Sequence, residues 1–168
     1  VMEPPRGADH LHVLIRQAQL GGHAGGEEHH ARLVDGVGGG LVGDRIVGVL
    51  TEGEGIRIFQ IHSPRLKEYE YDHERWIDVT WDVDPEAADR FPAKLAITAV
   101  NEPGTLAQIA QLIGEADGNI DNVRMVRRAP DFTEMAIDVE VRDLNHLTRI
   151  ISGLRGKSVV SKVERVFA

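Results

Sequence analysis

The stretch AVNEPGTLAQIAQLIGEADGNIDNV, residues 99–123, leaves an extended segment through an Asn-Glu-Pro-Gly turn, enters an apolar helical stripe and exits through a second polar turn. Its reading decides the fold of the carboxyl-terminal half. Leu106, Ile109, Ala110 and Ile113 recur at the spacing of one helix face. Before them, AKLAITAV (93–100) alternates, with Leu95, Ile97 and Ala99 on the dry side. After them, NIDNVRMVRR (119–128) and FTEMAIDVEV (132–141) are extended runs joined by the turn APD, and Met135, Ile137, Val139 and Val141 repeat at every second position. Asp143 then caps a helix with Leu144, Leu147, Ile151 and Leu154 on its buried side, and SVVSKVERVF (158–167) closes as a strand. The order βαββαβ predicts an α+β fold of the ferredoxin-like kind, a four-stranded antiparallel sheet with both helices on one face.

Upstream the grammar is that of a small β-rich module. RIVGVLT (45–51) and GIRIFQI (55–61) are β-branched runs separated by EGE, which predicts a hairpin. SPRLKEY (63–69) reads as a short helical turn with Ser63 at the cap and Pro64 at its first position. In WIDVTWDVD (76–84), Ile77, Val79, Trp81 and Val83 alternate with Asp78, Thr80, Asp82 and Asp84, a strand with one dry and one wet face. Pro85 and PEAADRFP end it and start a linker. Residues 1–42 differ in kind, because residues 1–43 hold ten of the eighteen glycines and five of the eight histidines. Only DHLHVLIRQAQL (9–20) has the length for a short helix there, and the tract around it reads as irregular or disordered polar chain. The expected division is an irregular segment 1–42, a β-rich module 43–84, a linker 85–90 and the βαββαβ domain 91–168.

Composition narrows the function classes. The 168 residues contain no cysteine, which removes disulfides, thiolate zinc sites and cysteine nucleophiles. No apolar run is long enough to span a bilayer and no signal-peptide pattern opens the chain, so a soluble, cytoplasmic protein is expected, without membrane contact. Charge is uneven: residues 44–91 hold six Lys and Arg against twelve Asp and Glu, whereas residues 92–168 hold ten of each. So acidic a chain is ill suited to phosphate-driven nucleic-acid binding. Arg124, Arg127 and Arg128 are the local exception, readable as the charged guard of a strand edge or as a nucleic-acid contact.

No catalytic residue is expected. The sequence lacks a Gly-x-Ser-x-Gly elbow, a Walker-type phosphate loop and a His-Glu-x-x-His pair. His62, His73 and His146 stand apart from one another, with His146 assigned to the polar side of its helix. His23, His29 and His30 have no organised carboxylate or thiol partner, and the acidic residues of 68–89 read as a wet strand face, so no metal and no cofactor are expected. The turns flanking the first helix are more informative. Pro103 suits the first helical position, Gly104 lets a ligand approach the backbone, and the amides that follow form the positive end of a helix, able to hold a carboxylate. Asn101, Glu102, Pro103, Gly104, Thr105 and Leu106 form this candidate ligand loop. In the second turn Gly118 ends the helix, and Asn119, Asp121 and Asn122 provide short polar groups able to receive an ammonium group or complete a hydrogen-bond ring. A small apolar amino acid, valine or isoleucine, fits that lining, with its side chain on Leu106 and Ile120.

The wording NEPGTLAQIAQLIGEADGNIDNVRM, with the β-rich stretch, second helix and VVSKVERV behind it, resembles an ACT domain, in particular the one that ends bifunctional (p)ppGpp synthetase/hydrolases of the RelA/SpoT family. GDRIVGVLTEGEGIRIFQIHSPRLKEY and RWIDVTWD resemble the small zinc-finger or RIS module that precedes it. The resemblance runs from Gly43 to the end. It implies a regulatory region that senses amino acid status and controls catalytic domains belonging to a longer parent. It also implies ligand binding by the first strand-to-helix loop, here Asn101 to Leu106, where two ACT domains pair, with Asn119, Ile120, Asp121 and Asn122 as the facing wall, and therefore a homodimer. A ribosome or tRNA contact module is the alternative the family offers. Two departures stand out. Where the family carries a Cys pair, a His and a further Cys, this chain reads Val37, Gly38, Phe59 and Ser63, so zinc does not carry over. Residues 1–42 do not resemble the helical region expected there, as a shifted reading frame, a misjoined gene upstream or a divergent linker would produce.

Overall fold

The computed structural model describes residues 12–15, 40–52, 55–82 and 90–167, the first of these as backbone only. The chain divides into two compact units, one carrying the strands up to Asp82 and the other running over Arg90–Val166.

In the first unit, strands β1 (His12–Ile15), β2 (Ile46–Thr51), β3 (Gly55–Gln60) and β4 (Trp76–Asp82) form an antiparallel sheet in the order β1-β4-β2-β3. The hairpin expected over 45–61 is β2–β3, in register from Ile46 opposite Gln60 to Thr51 opposite Gly55. A tight turn feeds it. Asp44 donates its amide to the Leu41 carbonyl at 2.8 Å and accepts the Leu41 amide on its carboxylate at 2.6 Å, while Gly43 takes the positive φ of 95° that such a turn requires. One face of the sheet buries Val49 and Phe59 under Leu66, which a 3-10 turn over Pro64–Tyr69 supplies, and the other buries Ile58 and Val79. Ser63 stands at the cap of that turn, but its side chain makes no capping hydrogen bond there. The helix expected over 9–20 is not what the described part shows: His12–Ile15 is a strand against β4, pairing from His12 opposite Asp82 to Ile15 opposite Val79. The open edge of β4 offers this β-branched run a ladder of partners that an isolated short helix lacks. The tract 16–39, with His23, His29 and His30, lies outside the described residues, as does 83–89 with Val83 and Asp84.

The second unit has the expected βαββαβ order: β5 (Phe91–Val100), α1 (Thr105–Glu115), β6 (Asn119–Arg128), β7 (Phe132–Val141), α2 (Leu144–Arg155) and β8 (Val160–Val166). The sheet order β6-β7-β5-β8 is the ferredoxin-like one. Both central strands bury alternate residues, Phe91 to Ala99 on β5 and Thr133 to Val141 on β7. The helices cover that face, with Ile109, Ile113, Leu147, Ile150 and Leu154 completely buried. Pro92 belongs to β5 rather than to the linker. It pairs with Glu140 of β7, while the ladder to β8 starts only at Lys94, so its missing amide leaves no β8 bond unmade.

Three side chains sit differently from the sequence reading. Leu106 is 37% exposed, and Thr105 takes its place on the buried face of α1, 3% exposed. On α2, Ile150 is fully buried and Ile151 only partly. His146, expected on the polar side, is 2% exposed. Its Nδ1 accepts the Arg142 amide at 3.1 Å, so Nε2 carries the proton and donates to the Ala116 carbonyl at 2.7 Å. These two bonds satisfy both ring nitrogens of His146 on the buried side of α2, which it shares with Leu147, Ile150 and Leu154. Asp143 caps α2 as expected, accepting the His146 amide at 2.7 Å.

Candidate functional site

The β5–α1 connection is built by a turn that only glycine closes without strain. Thr105 donates its amide to the Glu102 carbonyl at 3.3 Å, Pro103 and Gly104 occupy the turn's two central positions, and Gly104 has φ 85°. This is the type II pattern, in which Pro fixes the first central position and glycine supplies the left-handed second. Pro103 therefore precedes the helix instead of opening it, and Gly104 is the N-cap residue. Because Gly104 has no side chain to cap the helix, the first-turn amides of Leu106 and Ala107 have no capping side chain.

Beside this turn lies a hollow of about 70 Å³ lined by Val100, Asn101, Glu102, Thr105, Leu106 and Met125, with Arg128, Thr133 and Met135 completing it. Asn101 clamps the loop to the β6–β7 turn. Its amide group donates to the Ala129 carbonyl at 2.7 Å, its carbonyl oxygen accepts from Arg128 Nε at 3.3 Å, and its backbone amide donates to the Asp131 carbonyl at 3.1 Å. Thr133 Oγ1 donates to the Arg127 carbonyl at 3.2 Å. Thr105 Oγ1, in contrast, is buried without any hydrogen-bond partner. Leu106 and Met125, 37% and 50% exposed, present apolar surface at the rim.

The wall expected at 119–122 lies elsewhere. Asn119, Ile120, Asp121 and Asn122 open strand β6 rather than forming a turn. Asn119 donates to Glu140 at 2.7 Å, Asn122 donates to Asp138 at 3.2 Å, and Ile120 pairs with Val139. Asn119 lines a different, polar hollow with Arg90, Gly114, Asp117, Gly118 and Glu140, at the far end of α1. A helix of 11 residues is about 16 Å long, so one copy does not bring the two groups together. At that far end Asp117 has φ 64° and receives both Arg90 and Arg142. The hydrogen bond from Arg90, together with the nearby Arg142 charge, holds its carboxyl below the usual carboxylate range.

Arg124, Arg127 and Arg128 lie on β6, exposed at the edge of the sheet. Arg127 covers the Phe132 ring at 5.2 Å. As for metals, the place where the resembled family has a zinc-ligand His is Phe59, packed in the core on Leu66, and no cluster of three or more His, Asp or Glu able to hold an ion occurs among the described residues. Phe59 offers no donor atom to a zinc ion at that place. No helix among the described residues is long and apolar enough to cross a membrane.

The signal in the sequence that pointed to this loop was the Pro-Gly pair, and it led to Asn101–Leu106. What it missed were Met125, Arg128, Thr133 and Met135, brought to the loop by β6 and β7. Only the strand order reveals that approach.

Two protein families match successive parts of the chain. The RelA/SpoT RIS domain family matches residues 37–82, and the ACT domain family matches residues 87–165. The chain is 56% identical over 128 residues to the GTP pyrophosphokinase rsh of Brucella ovis, a match covering 76% of this chain and 17% of that protein. It is 26% identical over 125 residues to the bifunctional (p)ppGpp synthase/hydrolase SpoT of Escherichia coli, covering 74% of this chain and 18% of that one. The crystal structure of the ACT domain from the GTP pyrophosphokinase of Chlorobium tepidum aligns at 25% identity with a TM-score of 0.41, covering 46% of this chain and 99% of that one. The chain thus spans less than a fifth of the length of the curated relatives it matches. The RIS and ACT domains, in that order, make this chain a regulatory C-terminal region of the RelA/SpoT family.

Proposed function

We propose that the ACT domain, 91–168, binds a small apolar amino acid, valine or isoleucine in first place, and passes that state to cytoplasmic catalytic domains that make and hydrolyse (p)ppGpp in a longer parent. The observation that carries this reading is the uncapped start of α1 beside a hollow whose lining is part polar and part apolar. The free amides suit a carboxylate, and Leu106, Met125 and Met135 suit a branched aliphatic side chain.

A hollow of about 70 Å³ falls well short of the roughly 300–1,000 Å³ of ordinary small-molecule sites, so a second copy has to complete it. Strand β6 offers the means. It is an edge strand, its end at Arg128 borders the hollow, and its start is Asn119. Two copies pairing antiparallel along β6 about a two-fold axis bring the partner copy's Asn119–Asn122 wall to the Arg128 end of the first. Pro103 and Glu102 stay at the rim, and the hydrogen-bonded Asn101 fixes the loop. The reading predicts a dimer by light scattering, and L-valine should bind with saturable heat. A strictly monomeric mass with no heat from valine or isoleucine would overturn it.

The second reading, a ribosome or tRNA contact, is favoured by the exposed arginines on β6. Tight binding of tRNA with a steep salt dependence, unaffected by valine, would support it instead.

A further inference from the structure

We propose that the Thr105 hydroxyl is a positioning donor to the ligand, giving its hydrogen to the carboxylate held at the start of α1. This inference rests on the amino acid reading of the hollow. Thr105 is 3% exposed and its Oγ1 has no partner, although the other polar side chains that close the hollow from inside are engaged. Asn101 is tied to Ala129 and Arg128, and Thr133 to the Arg127 carbonyl.

A hydroxyl taken out of water without a partner is unfavourable compared with a methyl group of the same shape, and folding alone gives Thr105 nothing in return. It stands at the first residue of an 11-residue helix whose start has no side-chain cap, and we place its hydroxyl in one corner with the amides of Leu106 and Ala107. All three are donors. A carboxylate, which accepts and does not donate, satisfies the set, whereas an ammonium group, three donors without an acceptor, uses only the hydroxyl oxygen. The same corner therefore orients the amino acid, with its carboxylate toward α1 and its side chain toward Met125 and Met135.

The test compares Thr105→Val and Thr105→Ser in the full chain by calorimetry with L-valine, alongside the melting of the ligand-free proteins. Thr105→Val keeps the shape and removes the unpaired hydroxyl. It should weaken valine binding by about tenfold or more while leaving the ligand-free melting temperature equal or raised. Thr105→Ser keeps the donor and should bind within about threefold of the parent chain, which separates the hydroxyl from the methyl group. Valine binding unchanged in Thr105→Val, with the parent chain binding normally, would overturn this role and leave the site reading standing. So would equal losses in both variants, or a loss in Thr105→Val that comes with a lowered melting temperature. No binding of valine by the parent chain would overturn both.

Discussion

At its C-terminal end α1 delivers Ala116 and Asp117 into a closed network: the Ala116 carbonyl is taken by His146, and the Asp117 carboxylate by Arg90 and Arg142. At its N-terminal end, some 16 Å away by helix rise, Gly104 leaves the first turn uncapped and Thr105 keeps a buried hydroxyl unpaired. Both ends belong to one rigid element and both carry a glycine, yet one end is finished and the other is not. Folding accounts for the finished end. The unfinished end is what a ligand would complete, which is why we place the site there and not in the larger polar hollow beside Asp117.

Substitutions should separate the two ends by readout: stability at the C-terminal end, binding at the N-terminal end. The largest loss of stability is expected for His146→Leu, which leaves the Ala116 carbonyl and the Arg142 amide without their partner. Denaturant unfolding should show a loss of about 3 kcal/mol. Gly118→Ala follows, because a Cβ there meets Ile113 and Ile150 at 2.9 Å and the Ile113 carbonyl at 3.1 Å. That overpacking should cost about 2 kcal/mol in the same measurement. Neither change should alter the affinity of the folded protein for valine.

Gly104→Val inverts the pattern. A Cβ at Gly104 meets nothing within 4 Å, so the stability loss comes from the positive φ alone, about 1–2 kcal/mol. Valine binding should nevertheless disappear, since the added side chain stands over the turn that admits the ligand to the amides. The smallest effect is expected at Asp117, whose carboxylate is exposed to solvent and screened by salt. Its pKa in the folded chain lies below the ordinary value, so its contribution is present in full above about pH 4 and fades as pH falls further through the lowered value. The melting-temperature gap between the parent chain and Asp117→Asn should be flat across neutral pH and close only in acid.

The sequence makes most of this fold legible, for a physical reason. Strands β5 and β7 are covered on one face only, so their alternation is written in the residues themselves. The helices are less transparent. Thr105 scores as polar and Leu106 as apolar, but the phase of α1 is set by the turn at Pro103–Gly104, which brings Thr105 under the helix and leaves Leu106 on its flank. His146 is misread for a similar reason: its burial depends on a carbonyl 30 residues away. At the site, the loop 101–106 is local and was readable. The separation of Asn119–Asn122 from it depends on the length of α1 and on strand order, and the residues from β6 and β7 arrive through long-range pairing that no spacing announces. The strand at His12–Ile15 is the same case, since its partner β4 lies far along the chain, at Val79–Asp82.

The measurement that tests the ligand end of α1 most directly is a titration of the full, isotope-labelled chain with L-valine, followed amide by amide by NMR. The largest saturable shifts are expected at Gly104, Thr105, Leu106 and Ala107, with smaller ones at Met125 and Thr133, and L-aspartate should reproduce none of them. Saturable shifts confined to Arg90, Asp117 and Glu140, or a response to aspartate equal to that for valine, would contradict the assignment of the ligand to the uncapped end.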